Sequence, residues 1–158
     1  MIKKYYSLIF ILLLISESKA TTKDAIIENL KEIKNLKFNF EQNIKGKIER
    51  GNCVLQYPKK IYCKYDLRNQ KILVSDGKSL VIKTLTSYYY YPLERTPLNH
   101  ILNKDFLLKK IGNLNERIID DKFINFNFFE NENEINLFFH KDTYELIGWQ
   151  TLDIYQNL

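Results

Sequence analysis

Cysteine is scarce in this sequence, with two residues among 158, and histidine is equally rare. Neither His100 nor His140 stands in an H-E-x-x-H context, and no His or Cys pair completes a metal site. A P-loop, a dinucleotide-binding glycine fingerprint and a G-x-S-x-G elbow are all absent. Asp120-Asp121 is a carboxylate pair, but adjacent residues in a turn usually face solvent. Covalent catalysis needs a nucleophile, a base and an orienter together. No such set is present, so no catalytic residue, metal or cofactor is expected.

Basic blocks are missing too. The formal net charge is only +5 and is spread along the chain, with no Lys/Arg cluster of the kind that grips nucleic acid. Long apolar runs are equally lacking. A spanning helix needs about 20 apolar residues, and the apolar run Leu8–Ile15 has eight. That short run follows Lys3 and Lys4 and precedes Ser18 and Ala20. Basic, apolar and small-residue zones in this order read as a secretory signal peptide over residues 1–20, cleaved after Ala20. No cysteine follows the cleavage site to carry a lipid, so the exported product is expected to be unanchored. Residues 21–158 suit one domain with one core. They contain no repeat or linker.

Aromatic residues are abundant: eleven Tyr and ten Phe. They favour strands and large apolar surfaces. Asp24–Leu36 reads as an amphipathic helix, with Ile26, Ile27, Leu30 and Ile33 at helical spacing and Thr22 or Thr21 as its cap. After Leu36 the period becomes two. Phe38, Phe40, Gln42 and Ile44 share one face of a strand that turns at Lys45-Gly46. Cys53 and Cys63 flank Pro58 symmetrically, so a hairpin centred on Pro58 sets them opposite each other on one face. Two readings stand: a cross-strand disulfide, which this register favours, or two small buried thiols. Asp76-Gly77 marks the next hairpin, between Gln70–Ser75 and Ser79–Lys83. The run Tyr88–Tyr91 lies in a strand, Ser87–Tyr91, that ends at Pro92.

Thr96-Pro97 reads as a cap and first position of a helix bearing Leu98, Ile101 and Leu102, and Asp105 as the cap of a second short helix through Lys110. Arg117–Asp120, Phe123–Phe129, Glu134–His140 and Leu146–Tyr155 are predicted strands. Every link is short, which argues for an antiparallel meander. The predicted class is α+β, mainly β: a strongly curved antiparallel sheet with one long helix and one or two short ones.

The chain resembles the LolA family of periplasmic carriers of outer-membrane lipoproteins. The stretches that carry the resemblance are the first helix leading to Phe38-x-Phe40-x-Gln42, then Gly51 through Tyr57-Pro58, and Ile72 to Lys78. Thr96-Pro97 before an apolar helix and Leu146-x-x-Trp149-x-x-x-Asp153 complete the set. Each piece alone is weak; their order and spacing are specific.

The resemblance implies an incomplete antiparallel β-barrel with an α-helical lid. It implies acyl chains held between barrel and lid, and no enzymatic step. It also implies cargo received from an inner-membrane LolCDE-type ABC transporter and passed to an outer-membrane LolB-type receptor. A periplasmic monomer is expected. Under this reading Phe38, Phe40, Leu55, Ile61, Tyr65, Leu73, Leu80, Ile82, Phe128, Leu137, Phe139 and Trp149 line the lipid site. Val81 would serve as well as Leu80 and Ile82. Ile26, Leu30, Ile33, Leu98, Ile101 and Leu102 are the lid candidates.

Two departures stand out. Many family members carry Arg before the hairpin proline, where it bonds to the lid, and here the position is Tyr57, whose phenol can donate one hydrogen bond. The chain also stops at Leu158, soon after the Trp149 strand, where family members usually add a further strand. Either the product is truncated or the barrel is more open. The rival reading is a periplasmic lipid- or lipoprotein-sensing domain of a stress regulator, which usually brings a second domain. A secreted enzyme ranks last for want of a catalytic set.

Overall fold

Helix α1 (Thr22–Glu32) opens the structure, a computed structural model that describes residues 21–152 apart from Lys45 and Asn69. The proposed signal peptide and the chain beyond Leu152 lie outside the described residues. Thr21 caps α1 through a capping box with Asp24, which satisfies two backbone N–H groups at once. The helix stops earlier than its apolar spacing predicts. Ile33 is already extended, because the strand alternation that begins at Leu36 claims the backbone.

Six strands then form one antiparallel meander: β1 (Asn35–Ile44), β2 (Lys47–Gln56), β3 (Lys60–Tyr65), β4 (Ile72–Asp76), β5 (Ser79–Lys83) and β6 (Tyr88–Pro92). A 3-10 turn (Leu93–Arg95) leads to α2 (Leu98–Ile101) and α3 (Lys104–Asn113). Four further strands make a second antiparallel sheet: β7 (Arg117–Ile119), β8 (Phe123–Glu130), β9 (Asn133–His140) and β10 (Leu146–Leu152). The single curved sheet expected from alternation is therefore two sheets, not closed into a barrel, with helices between them in the chain. This is the mainly β, incomplete-barrel architecture with helices that the resemblance implies.

Two caps differ from expectation. The Thr96 hydroxyl donates back to the Leu93 carbonyl at 2.8 Å, and Pro97 takes the N-cap position ahead of α2 with no side-chain cap bond. Asn103, not Asp105, caps α3 by accepting from the Phe106 N–H at 3.2 Å, and Asp105 falls in the first turn.

The core has two parts. In the first, α1 and α3 lay Ile26, Leu30, Leu107 and Ile111 on the inner face of the smaller sheet, against Ile124, Phe126, Phe128, Leu137 and Phe139. In the second, the inner face of the larger sheet packs Leu55, Ile61, Tyr65 and Leu80 against Leu93 and Leu102. Trp149 of β10 touches both parts. At about 25 cal/mol per Å2 of apolar surface removed from water, such packing supplies the main drive to fold.

Candidate functional site

The inner face of the larger sheet is set by register. Phe38, Cys53, Cys63, Leu73 and Ile82 follow one another across β1 to β5 as direct partners. Leu36, Leu55, Ile61, Ser75 and Leu80 form the next row, and Phe40, Gly51 and Tyr65 the row on the other side. Val81 pairs with Val74 and so points to the opposite face from Leu80 and Ile82. Cys53 and Cys63 meet as cross-strand partners, 4.1 Å apart at Cα, and are joined by a disulfide.

Between this face and β10 lies a cavity of about 470 Å3. It is mostly apolar. Phe38, Phe40, Ile61, Tyr65, Leu73, Leu98 and Trp149 line it, with the disulfide on its floor. The rings are ordered by edge contacts: Phe38 on Trp149 at 5.6 Å and Phe40 on Tyr65 at 4.9 Å between centroids. Such T-shaped pairs suit the aromatic quadrupole. The cavity also runs along β1 and β10 themselves, touching Lys37, Asn39 and Glu41 on one side and Ile147 and Gly148 on the other. Both strands are sheet edges, so the cavity sits at an open seam between the two sheets.

Not all the expected lining residues meet here. Leu55 and Leu80 are buried in the second core beside the cavity, and Ile82 shares their face without lining it. Phe128, Leu137 and Phe139 face the other way, into the solid core under α1 and α3. Of the lid candidates only Leu98 lines the cavity. Ile26, Leu30 and Ile101 belong to the first core, Ile33 packs against it, and Leu102 lies in the second. The reason is physical: an inward position reads alike whether helix or empty space lies above it. Leu36, Gln42, Leu146, Ile147 and Gly148 also line the cavity and were not foreseen as lining residues. Leu36 and Gln42 share the alternation of Phe38 and Phe40, which is the signal that marks them.

One end of the cavity is polar. Gln42 donates to the buried Glu49 carboxylate at 3.0 Å and approaches the Tyr65 hydroxyl at 3.4 Å. Lys71 closes on Glu49 at 2.5 Å and lies over the Tyr65 ring. Burial pushes the Glu49 carboxyl up, but bonds from Lys71, Gln42 and Lys47 outweigh it and hold the group below its ordinary range. Burial, partly offset by Gln42, raises the Tyr65 phenol.

Tyr57 stands beside the helices. Its backbone N–H donates to the Lys34 carbonyl at 3.0 Å, just beyond α1. Its hydroxyl is buried and has no hydrogen-bond partner among the described residues, so the lid bond that a phenol could donate at this position is not made. Burial pushes this phenol up to about 12. The end of α1 is instead reached from α3 by Lys104, which donates to the Lys31 and Ile33 carbonyls at 2.5 and 3.1 Å. A cation at a helix C-terminus meets the negative end of the helix dipole.

Among the described residues no helix is long and apolar enough to cross a membrane, and no three His, Cys, Asp or Glu gather as a metal site. No curated protein matches the chain. One solved structure similar to it is that of a LolA superfamily protein from Nitrosomonas europaea. The two share 10% identity over 88% of this chain and 75% of that one, with a TM-score of 0.43. The model of a carrier family, described as outer membrane lipoprotein carrier protein LolA, matches residues 31–158. That match spans β1 to the end of the chain and includes both edges of the cavity, and the chain belongs to the LolA family.

Proposed function

We propose that the chain is a periplasmic carrier that holds the acyl chains of lipoproteins in the seam cavity and takes them from the inner to the outer membrane. Family membership supports binding of lipoproteins and contact with the Lol system. The observation that carries the reading is the apolar cavity with Phe38, Phe40, Leu73 and Trp149 on its walls, open between two unpaired sheet edges. Each acyl methylene kept from water is worth about 0.8 kcal/mol, so such a lipid does not cross an aqueous space unaided. A carrier needs apolar walls and no covalent chemistry.

Residues 1–20 act as a signal peptide in this reading, and 21–158 form the exported, monomeric carrier domain. The proposed lipid contacts are those that line the cavity, with Leu55, Leu80 and Ile82 backing it. Helices α1 to α3 are the lid. A methylene takes about the volume of a water, ~30 Å3, so 470 Å3 accepts roughly one long acyl chain. Further chains require the helices or the two sheets to part, and a movable lid suits loose, transferable binding. Cargo arrives from an ABC transporter and leaves to an outer-membrane receptor.

The test is release. Inner-membrane vesicles carrying a labelled lipoprotein, ATP and the transporter are incubated with the purified protein. The label should appear in a soluble one-to-one complex. Label that stays with the vesicles, where an established carrier extracts it, contradicts the proposal.

A further inference from the structure

The outward face of the larger sheet carries an apolar row that the cavity does not use. Val54, Tyr62, Val74, Val81 and Tyr90 are direct cross-strand partners from β2 to β6. Val54, Tyr62 and Tyr90 are 39%, 46% and 61% exposed, and Tyr88 beside them is 64% exposed. Lysines bracket the row. Lys37 lies at its β1 end, Lys60 in the row on one side, and Lys64 and Lys83 in the row on the other. None of these four forms an ion pair among the described residues. Of the acids on this face, Glu41 pairs with Arg50; Asp76, across from Lys60, accepts the Lys78 and Ser79 N–H groups of its turn; and Asp66 follows β3 beyond Lys64.

The outward side of the smaller sheet differs in its polar residues. It carries Asn125, Asn127 and Asn136, which bond to one another, to Arg117 and to Glu134, beside Phe123, Phe138 and the exposed Phe129, with no lysine among these positions. That side satisfies its own polar groups. The larger sheet leaves tyrosines and cations turned outward.

We propose that the outward face of β2 to β6 docks on an anionic phospholipid surface. The residue types favour a bilayer over a protein. Protein interfaces favour Arg and deplete Lys, whereas lysines that extend their ammonium groups to headgroups and tyrosines at the water boundary are the pattern of a membrane interface. Four unpaired lysines supply the charge complementarity, since basic residues near an anionic leaflet each strengthen binding. Valines and phenol rings reach into the headgroup boundary while the hydroxyls stay wet. Apart from Lys37 on the edge strand β1, which also borders the cavity, the docked face is the reverse of the one that lines it, so the sheet rests on the membrane with the apolar walls of the seam turned away.

Vesicle flotation tests this. The purified protein is mixed with vesicles of phosphatidylcholine alone and with vesicles containing phosphatidylglycerol, at low and high salt. It should float with the anionic vesicles, remain behind with the neutral ones, and detach as salt rises. The triple variant K60Q/K64Q/K83Q should bind at least about tenfold more weakly, and Y62S/Y90S should also lose binding. Both should keep the response of Trp149 to an acyl ligand, which reports an intact fold and cavity. Equal flotation with both vesicles, no flotation with either, or variants that float like the parent would each overturn the proposal. A protein that floats but shows no acyl response at Trp149 would sink the carrier reading and leave this one standing.

Discussion

Gly51 sets how closely two aromatic rings approach in the cavity wall. It lies between Phe40 and Tyr65 in the cross-strand row, and a Cβ there would stand 2.2 Å from the Lys64 carbonyl oxygen and 2.9 Å from the Phe40 ring. The oxygen belongs to the backbone and cannot rotate away. Gly51→Ala should therefore force β2 and β3 apart and cost about 1–3 kcal/mol, the usual range for overpacking, visible as a lower midpoint in urea. Tyr57 is the opposite case. Its buried hydroxyl lacks a partner, and an unmade bond in the interior costs free energy. Tyr57→Phe should leave stability unchanged or raise it by about 1 kcal/mol, measured by the same titration. A loss of more than that would mean that the phenol has a partner in solution.

Two polar groups sit within elements whose packing depends on their charge. His100 of α2 is buried against Phe106 and bonds to Asn131 in the β8–β9 turn, with Glu130, Lys110 and Lys59 close enough to act on it. Burial is the largest cause that lowers its pKa; Glu130 opposes this and the two lysines add to it. Below 6.5, the ordinary value, the unfolded chain takes up a proton here more readily than the folded chain, so acid favours unfolding. Glu49 acts in the same direction at lower pH. Its carboxyl is held below 4.5, and the stability it lends above that value is lost as pH falls through the folded pKa. Melting temperature should fall in two stages on acidification, and His100→Phe should flatten the first. The hairpin of β2 and β3 adds a redox term. Its disulfide closes a loop between residues ten apart, and reduction should cost about 2–3 kcal/mol by loop entropy, read as a shift in the urea midpoint with reductant.

These elements also mark how far the sequence could be read. The β1 face, the Pro58 and Asp76-Gly77 hairpins and the cross-strand placement of Cys53 and Cys63 follow from period-two spacing and turn chemistry. That spacing fixes which side chains share a face, but not what lies opposite. Phe128 and Phe38 are equally inward in pattern; α1 and α3 cover one, and the cavity meets the other. Caps at Asn103 and Thr21 were decided by local hydrogen bonds among several eligible residues. The division into two sheets was hidden because strand pattern carries no record of partner.

At the scale of the whole molecule, two packed cores meet along one side and part along the other. The helices fill the concavity of the smaller sheet and leave that of the larger one partly empty. Trp149 spans the junction: it packs on both cores, lines the cavity and touches Phe38. It is also the only tryptophan in the chain, so its fluorescence reports this site alone. Entry of acyl chains into the seam can be read by titrating the protein with an acylated peptide whose chains carry bromine, a contact quencher of indole. Saturable quenching of Trp149 at one peptide per protein is expected, abolished by an excess of the unbrominated peptide. Binding of the peptide without quenching, or no binding at all, would contradict acyl entry.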